Sequence, residues 1–333
     1  MTSKRIKIVT NYVVGPLLFV WLSIAIYKQI MQQQHVQASW RAIVASFTGP
    51  QAWKFGAVIG LMLANWGIEA RKWQLLLHNV QQISIGEAFK AIFSGQALAL
   101  NTPNRVGEYA GRILYLQDGN RLRGVMLLMV ANISQLIVTF IMGSVGLLLM
   151  QNNIAHHLQQ LQQLPVYSYK ILTMSVCVFT VVLLLFYYNL SWLTLLAEKI
   201  SWIRKYHFFI EELAMLQSRH LLRILRLSFV RYLVFTLQYL LLLQVFGVQI
   251  VWWQAAALVG IQFLVLAIVP SIALGELGVR GQISLTLFGM LSNNLVGIIA
   301  TSAGIWLINL IVPAIVGSIC IVTIRIFKQK SLA

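Results

Sequence analysis

A chain of 333 residues that is 59% hydrophobic and only 10% charged offers too little polar surface for water, since a soluble domain carries about 25% charged residues. Its net charge of +17, from 25 Lys+Arg against 8 Asp+Glu, does not indicate nucleic acid: the basic residues sit in short stretches between apolar segments, and no soluble segment is long enough to fold as a binding module. Cys177 and Cys320 lie inside apolar runs, and His156-His157 sits in a polar stretch without acidic neighbours, so neither a disulfide framework, a metal site nor any other cofactor is expected.

The basic N-terminus (Lys4, Arg5, Lys7) leads into a long apolar run with no small-residue cleavage site, which predicts an uncleaved first membrane helix. Full-span helices are predicted at 10–29, 55–73, 124–150, 171–193, 227–246 and 294–324, each long enough to cross a bilayer. Glu69, Arg71 and Lys72 crowd the end of the second, and Pro313 inside the last predicts a kink or tilt. Residues 201–226 mix Trp202, Phe208, Phe209 and Leu213 with Arg and Lys, the pattern of an amphipathic helix on the inner membrane surface.

Two further apolar segments are interrupted. One runs 85–101, breaks at Thr102-Pro103-Asn104-Arg105-Val106-Gly107-Glu108, and resumes over 109–116. The other runs 251–269, breaks at Pro270-Ser271-Ile272-Ala273-Leu274-Gly275-Glu276, and resumes over 277–291. Helix breakers with charge at the turn mark re-entrant or broken helices, tolerated only where buried in protein or lining a wet cavity. Pro103, Gly107, Pro270, Gly275 and Gly278 are the expected structural breaks.

Basic residues cluster at the N-terminus, at Arg71-Lys72, at Arg121 and Arg123, over 199–226, and at Arg325, Lys328 and Lys330, whereas 151–168 and 247–249 hold only Lys-free, Arg-free sequence. Six crossings with both termini cytoplasmic satisfy this bias. The whole chain then reads as a single all-α membrane domain, 1–333, of six transmembrane helices and two broken hairpins. Halves 1–150 and 169–333 repeat the same element order with inverted topology, joined by a polar outer loop at 151–168. The breaks themselves match: Pro103-x3-Gly107-Glu108-x3-Arg112 against Pro270-x4-Gly275-Glu276-x3-Arg280, with Gln96 and Gln262 seven and eight residues before the prolines. Inverted repeats are a recurrent plan of secondary transporters, with the site at the repeat interface.

Between Arg231 and Arg325 the only formal charges are Glu276 and Arg280. A charge at bilayer depth costs roughly 2.5–3.5 kcal/mol on insertion scales, so it persists where it pairs, faces a wet cavity or serves function. Glu108 and Arg112 repeat the four-residue spacing, which puts acid and base on one helix face. The structural alternative is a salt bridge pinning each broken helix. The functional reading is an anion site within the membrane: half-helix N-termini favour anions, and Arg105, Arg112 and Arg280 supply donors suited to phosphate. Among the other polar residues (Asn65, Asn132, Ser134, Gln135, Gln238, Gln262 and Asn309), Asn132 and Gln135 are the strongest substrate candidates because they share a helix face. Arg231 is expected to reach back to the inner interface, and Trp66, Trp73, Trp252 and Trp253 to anchor span ends. No nucleotide loop, metal motif or Ser/His/Asp set is present.

On the residues 103–112 and 274–280, the chain resembles the lysylphosphatidylglycerol synthase transmembrane, flippase-like family over about residues 10–325. The first motif resembles that family's Pro-x-Arg-x-Gly-Glu-x3-Arg pattern, which implies roles for Arg105, Glu108 and Arg112; residues 70–76 are similar to its Arg-x-Trp-x-x-Leu-Leu stretch. The second motif departs, with Gly281 where the family has Glu and the acid at Glu276, and Ser134-Gln135 stands where Glu-Arg is common. The resemblance implies translocation of a lipid head group, with no lysyl transfer expected of this chain. The expected function is thus a flippase moving an anionic or head-group-modified lipid between leaflets of the cell membrane. Substrate would be held by Arg105, Glu108, Arg112, Glu276, Arg280, Gln135 and Asn132. The expected partners are that lipid and, as protein partner, a second copy or a lipid-modifying enzyme. A membrane-embedded head-group or glycolipid transferase, and a non-transporting partner of one, remain the alternatives.

Overall fold

The computed structural model describes residues 52–100, 105–160, 166–189, 217–269 and 276–322, with Ile24, Arg41, Val44 and Thr102 besides; the side chains of 157–160, Val166 and Glu276 fall outside that description. The expected span at 10–29, the stretch 201–216, and Pro103, Pro270 and Gly275 also lie outside the described residues.

The described residues form helices and turns, with no strand among them. In chain order the helices are α1 (Ala52–Leu77), α2 (Ile85–Ala99), α3 (Gly107–Ile113), α4 (Arg121–Leu149), α5 (Gln151–Gln160), α6 (Val166–Tyr188), α7 (Ser218–Val245), α8 (Trp252–Ile268), α9 (Glu276–Phe288), α10 (Leu295–Trp306) and α11 (Val312–Val322). Among the described residues four helical stretches are long and apolar enough to cross a membrane, Asp118–Leu149, Tyr167–Tyr188, Ser218–Val245 and Leu295–Val322, with Trp252–Ile268 as a shorter apolar helix. This is a membrane protein.

Local chemistry explains several boundaries. Ser84 closes a capping box with Glu87: its hydroxyl accepts the Glu87 N–H at 3.2 Å, and the Glu87 carboxylate accepts the Ser84 N–H at 2.8 Å. Asn294 caps α10 by accepting the Gly297 N–H at 2.9 Å. The expected disturbance at Pro313 takes the form of a π-turn at Leu307–Ile311, closed where the Val312 N–H reaches back to the Leu307 carbonyl. Proline lacks an N–H and crowds the carbonyl four residues earlier, here that of Asn309; the wider turn just before it accommodates both. The polar stretch 151–160 is itself helical, and 218–226 is the start of α7 rather than a separate surface helix.

The helices pack crosswise. α1 lies against α7, α4 against α8, and α11 against α2. Small residues set these contacts: a Cβ on Gly146 or Gly260 would meet the facing backbone at Ala257 or Met142, and one on Gly317 would overlap the Phe93 carbonyl. Where lipid offers no hydrophobic drive between helices, such close backbone approach is what holds them. α6 sits outermost, with Met174 72% and Ile171 61% exposed, an apolar face suited to lipid.

The two hairpins differ. α2 and α3 zip together because Gly95 and Gly111 meet backbone to backbone and Gly107 abuts the Leu98 carbonyl. Aligning Glu108 with Glu276 and Gln96 with Gln262 puts Val279 opposite Gly111 and Ile261 opposite Gly95. Without that glycine pair α8 and α9 stand further apart, and α9 leans on α10 instead. Gly278, expected at the break, lies in the first turn of α9, exposed and touching nothing. Gly111→Val should lower the unfolding temperature in detergent by the equivalent of about 1–3 kcal/mol or more through overpacking. Gly278→Ala should hold or raise it, since a helical Gly costs about 0.5–1 kcal/mol relative to Ala; the opposite order would refute the zipped-hairpin account.

Candidate functional site

The break between α2 and α3 is built around Thr102 and Arg105. The Thr102 hydroxyl donates to the Leu98 carbonyl at 3.2 Å and accepts the Gly107 N–H at 2.7 Å, so it covers backbone groups that the helix end leaves open. Arg105 is the only described non-glycine residue with positive φ, at 58°, a conformation that costs about 1–3 kcal/mol and collects at functional sites. Its side chain is fixed by donation to the Gln96 amide oxygen at 2.6 Å and lies 3.9 Å from Glu108. Gln96 is thus explained: it orients an arginine of the break.

From this turn α3 projects Glu108 and Arg112 toward α1, where the structure departs from expectation. Glu69 and Lys72 do not crowd a membrane surface; both are 1% exposed and lie 2.9 Å apart. Glu69 also binds Arg112 Nη2 at 2.9 Å and Arg231 Nη1 at 3.1 Å. Arg112 Nη2 is shared with Glu108. Arg231 does not reach to an interface: it turns inward, donates to Asn65 Oδ1 at 2.8 Å, and lies over Trp66 and Phe235. Trp66 and Trp73 are buried rather than anchoring span ends, and Trp73 lies under Arg112. Trp252 and Trp253 are exposed, as anchors would be. The inward turn has a simple cause, because a buried carboxylate draws every cation in reach where the dielectric is low.

Behind these charges runs a polar ladder. Asn309, in the π-turn, donates to Gln238 at 2.9 Å and accepts from Asn65 at 3.5 Å, and Gln238 donates to the Val58 carbonyl at 3.0 Å. Lys72 contacts Ser228, which pairs with Ser134 at 2.8 Å. Ser134 therefore serves helix packing between α4 and α7.

A cavity of about 410 Å³ opens in front of the network. Its wall includes Arg105, Glu108 and Arg112 from the first break, Asn132 and Gln135 from α4, and Arg280 from α9. Asn132 donates to the Tyr109 hydroxyl at 3.0 Å. Glu276 opens α9 one turn before Arg280. Arg231, Trp66 and Asn309, missed as site residues from sequence, join the wall. A signal for them was present: Asn65, Glu69 and Lys72 fall at i, i+4 and i+7, one face of α1. Phe235, Phe263, Leu266 and Ala267 add an apolar part to the lining. Among the described residues no group of three or more His, Cys, Asp or Glu is placed to hold a metal. The lining can therefore hold an anion beside hydrocarbon.

Glu69→Gln should destabilise the protein by about 3–5 kcal/mol, the loss typical of breaking a buried ion pair from one side. Lys72→Met should cost less, because Glu69 keeps both arginines. Thermal unfolding of the two variants in one detergent decides it; equal losses would remove Glu69 as the shared anchor.

The family model for the lysylphosphatidylglycerol synthase TM region matches residues 8–317. No curated protein matches the chain.

Proposed function

The chain belongs to the lysylphosphatidylglycerol synthase TM region family, and from that premise we propose that it is a lipid translocase which passes an anionic phospholipid head group between leaflets through the arginine-lined cavity. The observation that carries this reading is the meeting of Arg105, Glu108 and Arg112 from one interrupted hairpin with Arg280 from the other around a single cavity. Hairpins entering from opposite sides toward a common centre would bring charged turns distant in sequence onto one space in this way.

The crosswise packing supports an inverted pair of halves. α1 and α7, the expected counterparts, lie together, and the last helix of each half grips the first hairpin arm of the other: α4 on α8, α11 on α2. In this reading six spans hold both termini on the basic, cytoplasmic side of the cell membrane, and the hairpins dip in from opposite faces. The zipped α2–α3 hairpin moves with its half as one body, while the looser α8–α9 pair supplies the gate. A head group enters sideways with its tails still in lipid, competes with Glu108 for Arg105 and Arg112, and leaves on the other side when the halves rock. Differential contact of the anion with the two arrangements is what makes the rocking productive.

Purified protein in liposomes should exchange fluorescent anionic phospholipid between leaflets, read by quenching from outside. Arg112→Gln should slow exchange by about tenfold or more, the equivalent of one charge-assisted hydrogen bond, while Lys90→Gln, exposed on α2, should leave it unchanged. No exchange by the parent protein would end the reading; loss of a whole lipid species from a deletion strain would favour head-group transfer instead.

A further inference from the structure

The charge balance of the site, taken with the translocase reading on which this inference rests, defines the kind of anion it would hold. The ion-pair network joins four cations, Lys72, Arg105, Arg112 and Arg231, to two carboxylates, Glu69 and Glu108. Glu276 and Arg280 add one charge of each sign. Four minus two leaves a formal surplus of two positive charges among the described residues, in a setting where Lys72 and Arg112 are 1% and 3% exposed. Uncompensated charge at such burial is costly, so the site is arranged for a counter-charge that the described residues do not provide.

Donor geometry points the same way. Arg112 uses Nη2 for both of its carboxylates, and its Nε and Nη1 are buried with no hydrogen-bond partner. Gln135, also a residue of the wall, has a buried amide oxygen with no donor. Residues of the cavity wall therefore carry unused guanidinium donors and one unused acceptor, all of them buried. A phosphodiester, the linkage of ordinary membrane phospholipids, carries one charge and no hydroxyl on phosphorus. A terminal phosphate carries about −1.5 to −2 at neutral pH and, when singly protonated, a P–OH. The former leaves one positive charge and the Gln135 acceptor unmet; a phosphomonoester answers the second charge as its dianion or the acceptor as its singly protonated form, and a diphosphate with one terminal P–OH answers both. The apolar wall of Phe235, Phe263, Leu266 and Ala267 suits a chain attached to that phosphate.

We propose that the ligand is a lipid ending in a phosphate, a phosphomonoester or diphosphate on a hydrocarbon tail, selected over phosphodiester lipids by Arg112, Arg231 and Gln135. The test compares phosphatidic acid with phosphatidylmethanol, which differs by one methyl group and one charge, as labelled trace lipids in phosphatidylcholine liposomes holding the full-length protein. Phosphatidic acid should exchange at least about tenfold faster, and Gln135→Leu should shrink that preference several-fold. Because a variant can fail through folding, thermal unfolding of the parent protein provides a second readout: phosphatidic acid should raise the unfolding temperature more than phosphatidylmethanol, and more than inorganic phosphate at equal concentration. Equal, rapid exchange of both lipids would overturn the inference and leave translocation standing. No exchange of either would overturn both. Stabilisation by inorganic phosphate as large as by phosphatidic acid would assign the site to a free anion and overturn the lipid selection.

Discussion

A carboxylate held almost wholly out of water organises this protein. Glu69, 1% exposed, contacts Lys72 from its own helix, Arg112 from α3 and Arg231 from α7. Three elements far apart in sequence thus converge on two oxygen atoms. Taking these charges from water is expensive, and the attraction repays it only where the remaining hydrogen-bonding positions are also met. The Asn65–Asn309–Gln238 ladder and the Ser228–Ser134 pair do much of that around it. Buried groups without a partner remain on Arg112 and Gln135, two residues of the cavity wall. Stability and site are therefore two aspects of one network: the side chains that hold the bundle together are those that give the cavity its charge.

Glycine decides how closely the two hairpins close. In the first, Gly95 against Gly111 brings α2 and α3 into backbone contact, and Thr102 ties off the turn between them. In the second, Ile261 and Val279 occupy the matching places; Ile261 packs against Gly146 of α4, Val279 is exposed, and no glycine pair draws α8 and α9 together. The molecule thus has one close and one looser hairpin about the same cavity. Motion is cheapest where backbone contact is least, so the α8–α9 side is where a rearrangement would begin.

The π-turn at Leu307–Ile311 belongs to the same account. Pro313 forces a local change of helical pitch, and the change falls on Asn309. Its amide thereby reaches both Gln238 and Asn65, which in turn meets Arg231. Widened helical turns often occur at functional sites, and here the reason is visible in the hydrogen bonds.

The sequence by itself determined that the protein is a helical membrane protein, since its shortage of charge and its apolar runs leave no other way to satisfy the backbone. It also determined that charged breaks interrupt two of the helices and which family the chain belongs to, because those features are local and show as motifs: Gly107-Glu108 with Arg112, Gly275-Glu276 with Arg280. Only the tertiary structure decided where the charges at Glu69, Lys72 and Arg231 point. Each lies near enough to the end of a predicted span to be read as seeking water, although Asn65, Glu69 and Lys72 share one face of α1. Apart from the Glu69–Lys72 pair within α1, the inward turn depends on partners 43 to 162 positions away, Arg112 from Glu69 and Arg231 from Glu69, and a contact at such separation is a property of the packed bundle rather than of any segment.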